Sequence, residues 1–531
     1  MGWYFRTRFK IEVMKNRGTI LWADDEIDYL KSHILYLEDK GYNVLSANSG
    51  EDAYDIFIKE NIDLILLDEM MTGMDGIETL KKIKKVQPEI PIIMITKNEE
   101  EWLMEEAIAS QISNYLIKPV NPTQIFIACK NILEKVEIQS EHIAKDFLSK
   151  YQSFTQKSED AKSLEDWFEI YDDLCEWIVK FDKIDDVNLS NLLDEQFQAT
   201  DKQFNQFFIA EYKNLLSDNR TKQMFTPYTL KNNLIDDLKN GNKGVLIIMD
   251  CLRADQWKLM SRSLFSDYKI ETKYQSSIIP STTFYSRNSI FSGLFPLELY
   301  NHNQSLYNEM IKIESNYNKF EHDLLKEQLL RNNLNHISNN YVKVSSYEYG
   351  KMLTKNINNF KNIDLLCIVV NFIDILAHSR SESGVLKEVL TDEASYRDII
   401  YSWIENSWFR EVLNEIKKWQ RKIVITSDHG SVMAKKPVRL KAYKDVSPGV
   451  RYKVGKNIKV KDKYALRMEN PENYMLPIIE NNEDYLIACD NNYFVFPNNY
   501  NQFVKRYNNT FQHGGISMNE LIVPVATLNP K

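Results

Sequence analysis

Six side chains in the C-terminal part of this 531-residue chain have the types and spacings of a metal site. Asp374 and His378 stand four apart in "DILAH", Asp428 and His429 are adjacent in "SDHG", His513 precedes two glycines in "FQHGG", and Asp250 ends the apolar run "GVLIIMD". A pair at i and i+4 shares one face of a helical turn, and two neighbours at a strand-to-loop turn can be aimed at one ion. Three imidazoles and three carboxylates are enough for two Zn²⁺ with open positions between them, the kind of centre that polarises a bound oxygen and activates a hydroxyl. His33, His142, His302, His322 and His336 lie in polar or helical surroundings and read as surface residues.

A second set lies near the N-terminus. Asp24 and Asp25 follow "TILWA", Asp68 ends "DLILLD", Thr96 ends "PIIMIT", and Lys118 precedes Pro119 in "NYLIKP". Clustered carboxylates repel one another unless a cation is present, and hard oxygen donors with open positions favour Mg²⁺. Lys118 supplies a second positive charge.

The elements that must position these residues follow from periodicity. From Thr19 onward the apolar runs "TILWA", "NVLSA", "DLILLD", "PIIMIT" and "NYLIKP" alternate with amphipathic stretches, which predicts a five-stranded, doubly wound parallel sheet over residues 19–137. Met14 stands just before the first strand, and residues 1–18 read as an N-terminal extension. Residues 138–225 contain almost no Gly or Pro. Their apolar positions recur at helical spacing, as in Trp167, Ile170, Tyr171, Leu174, Ile178 and Phe181, or Phe204, Phe207, Phe208 and Leu215; they predict an all-α bundle whose aromatics pack a core. Strands return in residues 226–531 as "GVLIIMD", "DLLCIVVNF", "KIVITSD" and "ELIVPVATL", three of them ending in or soon followed by Asp. In open α/β sheets the ligand crevice lies at the carboxyl ends of strands, so Asp250, Asp374 and Asp428 should converge there.

Composition narrows the function classes. A 43% hydrophobic, 27% charged and 12% aromatic content is that of a folded protein with sizeable cores. A net charge of -9 argues against generic duplex binding. The five cysteines are scattered and lack CxxC spacing, which predicts reduced thiols and a cytoplasmic protein. No apolar run approaches the roughly 18 residues of a membrane span, and the N-terminus lacks the pattern of a cleaved signal.

With "LLDEMMTGMDG" in place, the N-terminal part resembles the receiver domains of bacterial response regulators. The resemblance implies that Asp68 accepts a phosphoryl group, that Asp24, Asp25 and Asp68 hold Mg²⁺ with the Met70 carbonyl, that Lys118 neutralises a phosphoryl oxygen, and that Thr96 and Tyr115 form the switch pair. Thr72 stands where many receivers have Pro. Residues 240–528 resemble the PglZ branch of the alkaline phosphatase superfamily, whose hydroxyl nucleophile lies in a Pro-hydroxyl-rich loop, here "IIPSTTFYSRNSIFSG". The family pattern makes Thr283 the nucleophile, with Thr282 the close competitor. It assigns Asp250, Thr283, Asp428 and His429 to one zinc and Asp374, His378 and His513 to the other.

The three-part order resembles the PorX-type response regulators associated with type IX secretion. That resemblance implies a sensor histidine kinase as phosphoryl donor, a phosphorylation-dependent homodimer, contact with a secretion component or an alternative sigma factor, and phosphodiesterase activity on cyclic or linear oligonucleotides. The basic island "AKKPVRLKAYKDVSPGVRYKVGKNIKVKDK" offers Lys435, Lys436, Arg439, Arg451 and Lys453 to substrate phosphates and Tyr443 or Tyr452 to bases. Arg287 is a further candidate phosphate clamp, and monoester and diester substrates both stay open. The rival readings are an idle metal-bound docking module and a DNA-binding regulator; no helix-turn-helix pattern follows the receiver, so duplex DNA is not an expected partner.

Overall fold

The computed structural model describes residues 17–96, 112–182, 187–312, 318–382, 390, 392–441, 447, 449–461, 464–479 and 483–531. Tyr443 and residues 1–16 of the expected extension lie outside them. The chain divides into two compact units, Met1–Asp146 and Phe147–Lys531. Among the described residues no helix is long and apolar enough to cross a membrane.

The first unit holds β1 (Thr19–Ala23), β2 (Asn43–Ala47), β3 (Leu64–Asp68), β4 (Ile92–Thr96) and β5 (Asn114–Ile117), with helices α1 (Lys31–Asp39), α2 (Gly50–Lys59), α3 (Gly76–Val86) and α4 (Pro122–Leu133). The sheet is parallel in the order β2-β1-β3-β4-β5, as the alternation of strand and helix predicts. β3 and β4 are buried at every position, because helices cover both faces of the central strands. Helix starts follow their caps: Ser49 accepts from Asp52 N, Asp75 from Glu78 N, and Asn121 forms a reciprocal box with Gln124 ahead of Pro122.

The second unit begins within the long helix α5 (Lys135–Asp160), followed by α6 (Leu164–Phe181) and α7 (Val187–Ser217). Trp167, Tyr171, Leu174, Phe204 and Phe208 are buried, and Trp167 packs edge-on against Phe204 with ring centroids 5.5 Å apart. The expectation that these aromatics build a core holds. All five cysteines are free and buried.

The second sheet contains β6 (Gly244–Met249), β7 (Tyr268–Ser276), β8 (Asn339–Val344), β9 (Leu365–Val370) and β10 (Lys422–Thr426). It is completed by β13 (Ile522–Pro530), which follows the short pair β11 (Val432–Ala434) and β12 (Thr510–Gln512). The order is β7-β13-β10-β6-β9-β8, parallel except where β13 runs against β10 and β7 against β13. The fully buried β6 and β9 lie side by side in the interior of the sheet, so Asp250, Asp374 and Asp428 emerge from one carboxyl edge. Two strands of this sheet went unread in the sequence, β7 and β8, and both are edge strands. "YKIETKYQS" and "NNYVKV" carry polar residues on a solvated face and lack the continuous apolar run of a central strand. The basic island, to which the sequence assigned no strand, also carries strands. Within it Tyr452–Lys456 pairs with Glu483–Ala488, which also pairs with Ala465–Met468.

Candidate metal and phosphoryl-transfer sites

At the carboxyl edge of the first sheet, Asp24 and Asp68 are buried and Asp25 is exposed, and all three offer carboxylate oxygens within 4.8 Å of one another. Lys118 Nζ bridges them, 3.0 Å from Asp24 Oδ2 and 3.0 Å from Asp68 Oδ2. Burial pushes Asp68 above the ordinary carboxylate range, opposed by the Lys118 hydrogen bond and aided by the charges of Asp24 and Asp25. Burial works against the Lys118 ammonium, but hydrogen bonds to Asp68 and Asp24 outweigh it and raise its pKa. Carboxylates gathered this closely are relieved by a divalent cation, so the donors present fit Mg²⁺. Thr96 is buried and its hydroxyl donates to Glu69, a partner the sequence gave no reason to single out. Tyr115 is half-exposed, and Met70 is exposed.

The second site is built from five segments. Asp250 follows β6. Thr283 opens helix α8 (Thr283–Ser292) after the buried loop 277–282, Asp374 and His378 lie one turn apart on α9 (Phe372–Glu382), and Asp428 and His429 follow β10. His513 follows β12. They converge as two neighbouring clusters, Asp250, Asp428 and His429 in one and Asp374, His378 and His513 in the other. His429 and His513 join the clusters by stacking, with ring centroids 4.3 Å apart.

The first cluster is sealed and the second is open. Asp250, Asp428 and His429 are each at most 1% exposed, whereas the His378 side chain is 48% exposed. The site is therefore open to solvent from the Asp374 and His378 side. His429 Nδ1 contacts the Gly430 carbonyl at 3.0 Å, an acceptor, so Nδ1 carries a proton and Nε2 faces Thr283 Oγ1, 3.2 Å away. Asp428 Oδ1 accepts from Cys251 N at 3.3 Å and His429 N at 3.1 Å. Its Oδ2 and Asp250 Oδ1 are buried without a hydrogen-bond partner among the described residues. Two orphaned carboxylate oxygens beside an imidazole nitrogen and a hydroxyl are the donor set a divalent cation satisfies.

Electrostatics agree with that fit. Burial drives Asp250 well above the ordinary range; Arg287 opposes this, and the charges of Asp428 and Asp374 reinforce it. Burial drives His513 well below the usual imidazole value, helped by His429, so it is neutral and keeps a lone pair. Asp374 is held below the ordinary range: burial acts upward, but the hydrogen bond to His378 and the neighbouring imidazoles prevail. His378 Nε2 lies 3.3 Å from Asp374 Oδ1 and 3.2 Å from His513 Nε2. The turn after β6 also stores strain, because Cys251 adopts φ 71°, a left-handed conformation worth roughly 1–3 kcal/mol for a residue with a side chain.

Three of the expected substrate contacts are buried. Arg287 is 1% exposed and does not face the cleft: Nη1 pairs with Asp250 Oδ2 and lies 3.7 Å from Asp428 Oδ2, while Nε pairs with Glu321 Oε1 at 2.5 Å. Two of its guanidinium nitrogens are committed to the buried carboxylates of Asp250 and Glu321, which corrects the clamp expectation. Arg451 is fully buried and bidentate to Glu520, and Lys453 is 3% exposed with Nζ donating to the Ser447 carbonyl, so neither can meet a substrate phosphate. Lys435 and Lys436 are exposed but line a separate cavity of about 860 Å³ beside α6 and α7 that none of the metal-cluster side chains lines. Arg439 sits over the Tyr500 ring at 4.8 Å. Tyr452 packs edge-on to Tyr285, with centroids 6.3 Å apart.

Four neighbours of the candidate site were not read from the sequence. Asn371 donates to Asp250 Oδ2 at 2.9 Å, Glu321 anchors Arg287, Arg253 Nη1 reaches the Ser431 carbonyl at 3.4 Å, and Glu520 binds both histidine loops. Only Glu520 carried a local signal, since Ser517-x-x-Glu520 is the pattern of a capping box.

Comparison with known proteins places this geometry in a family. The family model of the BREX system PglZ alkaline phosphatase-like domain matches residues 230–528, more than half of the chain. The chain belongs to the PglZ alkaline phosphatase-like family. Ahead of the PglZ domain, the response regulator receiver domain matches residues 20–130 and the PorX response regulator linker domain residues 137–216, the order of a PorX-type response regulator. The transcriptional regulatory protein SrrA of Staphylococcus aureus is 32% identical over 133 residues, 24% of this chain and 55% of SrrA; the chain thus spans about half the length of the curated relatives it matches. A receiver domain protein from Clostridium thermocellum is 29% identical over 23% of this chain and 98% of that one, with a TM-score of 0.21. Thermotoga maritima TrrA, solved in complex with Mg²⁺-BeF, is 27% identical over 22% and 98%, with a TM-score of 0.20. A receiver joined to a PglZ domain is the composition of a two-component response regulator.

Proposed function

We propose that a sensor histidine kinase phosphorylates this regulator on Asp68, and that its PglZ domain is a zinc-dependent phosphodiesterase acting on cyclic or linear oligonucleotides in the control of type IX secretion. The observation that carries the reading is the approach of Thr283 Oγ1 to His429 Nε2, at 3.2 Å, beside the orphaned oxygens of Asp250 and Asp428. Asp250, Thr283, Asp428 and His429 would hold one zinc, and Asp374, His378 and His513 the other. Bound there, the pair would lower the pKa of the threonine hydroxyl and of a water and offset charge on the nonbridging oxygens.

The chain's own residues do the rest. Thr283 Oγ attacks phosphorus, the P–O bond to the leaving alcohol breaks, and water hydrolyses the phosphothreonine to restore Thr283. Arg287 supports the step from behind. By pairing with the outer oxygen of Asp250 it fixes that carboxylate's rotamer and leaves the other oxygen for the cation. The exposed His378 edge gives the water its path.

For the receiver, Lys118 bridges Asp24 and Asp68 and is placed to neutralise an added phosphoryl group. Beryllofluoride with Mg²⁺ should convert the full chain to a dimer, read by light scattering. Asp68→Asn, which keeps the shape and removes the acceptor carboxylate, should stay monomeric and incorporate no phosphoryl group from acetyl phosphate. A wild-type chain that remains monomeric with beryllofluoride contradicts receiver-driven dimerisation.

A further inference from the structure

Both histidine-bearing loops are tied to one short helix, α10 (Met518–Leu521). Gly430 N donates to the Glu520 carbonyl at 3.0 Å, and Gly515 N donates to Glu520 Oε1 at 2.8 Å. Gly430 follows His429, and Gly515 lies two residues after His513. One fully buried residue thus sets the backbone beside one candidate ligand in each cluster. Arg451 fixes its carboxylate through Nε at 2.8 Å and Nη2 at 2.6 Å, and Ser517 Oγ donates to Oε2 at 2.6 Å. The fit is close: a Cβ at Gly430 would overlap the Asn519 carbonyl, and one at Gly515 would overlap the Arg451 guanidinium.

The helical segment reaches this hub from the other side. Tyr171 Oη on α6 donates to Asn519 Oδ1 at 2.7 Å, and Asp201 Oδ1 on α7 accepts from Met518 N at 2.6 Å. Tyr171 is 0%, Asn519 4% and Asp201 7% exposed. Polar groups are costly to bury unless paired, and apolar packing alone would dock two helices on a domain. Directional bonds to the two residues immediately before Glu520 therefore have a consequence beyond adhesion: they fix where the hub sits.

We propose that the helical segment is part of the metal centre, with Tyr171 and Asp201 as positioning residues that hold Asn519 and Met518 so that Glu520 keeps His429 and His513 in register. The inference rests on the phosphoester hydrolase reading above.

The test uses the full chain with a linear oligoadenylate as substrate, and zinc retention against a chelator as a second readout. Tyr171→Phe combined with Asp201→Ala should lower kcat and zinc retention by roughly ten-fold or more, the usual scale for outer-sphere partners, with KM little changed. Asp201→Asn keeps an acceptor for Met518 N and should restore most of the loss from Asp201→Ala. Gln196→Ala is the control for stability alone: it removes a buried side chain that bonds Thr200 on the same helix and does not reach the hub. The proposal is overturned if the double variant keeps kcat and zinc retention within two-fold of wild type, or if Gln196→Ala reproduces its losses. Should the wild-type chain hydrolyse no phosphoester, the hydrolase reading fails, while zinc retention still decides whether Tyr171 and Asp201 position the ligands.

Discussion

Thr283→Ala should abolish phosphoester hydrolysis, lowering kcat by about 10³-fold or more, while the protein keeps its fold and close to its full zinc content. The expectation comes from the contrast between two adjacent hydroxyls. Thr283 Oγ1 lies 3.2 Å from His429 Nε2 and opens a helix at the cluster's edge. Thr282 Oγ1 is buried and bonds nothing among the described residues. Thr282→Val removes that hydroxyl at constant shape and should leave kcat within a few-fold, because an unpaired hydroxyl has little to lose. If Thr282→Val is inactive and Thr283→Ala active, the nucleophile assignment is reversed. If both are active, threonine is not the nucleophile and the domain works by direct water attack.

The second large effect is on stability. Arg287→Leu removes the cation that lies between Asp250, Glu321 and Asp428, at 1% exposure, and leaves buried carboxylates without it. Breaking a buried ion pair from one side typically costs about 3–5 kcal/mol, and urea unfolding of the zinc-free protein should register a loss of that order. Zinc should restore part of it, since Asp250 and Asp428 regain a positive neighbour and Glu321 does not. Adding Glu321→Gln should cost less than the sum of the two single changes, because the residues share one network. A loss below about 1 kcal/mol with a raised KM would return Arg287 to the role of substrate clamp.

The Arg287 result also marks where sequence reading stopped. The candidate ligand side chains were legible because the chemistry writes itself at strand ends: Asp250 ends the apolar run GVLIIM, Asp428 closely follows the β-branched run IVIT, and Asp374 and His378 are spaced to share a helical face. The outer partners were not, because their spacing is set by the fold. Arg287 finds Glu321 34 residues on, and Arg451 finds Glu520 69 residues on. In sequence each is a charge in a polar stretch; in the fold each is a buried half of a pair. The same asymmetry governs the sheets. β6, β9 and β10 are covered on both faces and read as continuous apolar runs, while β7 and β8 sit at the edges and alternate with polar residues. The basic island misled for a related reason: charge alone cannot distinguish a solvated loop from strands whose Arg451 and Lys453 turn inward to partners.

The measurement that bears most directly on the whole account is a crystal structure of zinc-loaded protein with anomalous data collected on both sides of the zinc absorption edge. The account predicts two zinc peaks per chain, roughly 4 Å apart as in two-metal hydrolases, one contacting Asp250, Thr283, Asp428 and His429 and the other Asp374, His378 and His513. Crystals from zinc-saturated solution with no anomalous density between these side chains, or with a single peak that leaves Thr283 without a metal contact, would contradict it.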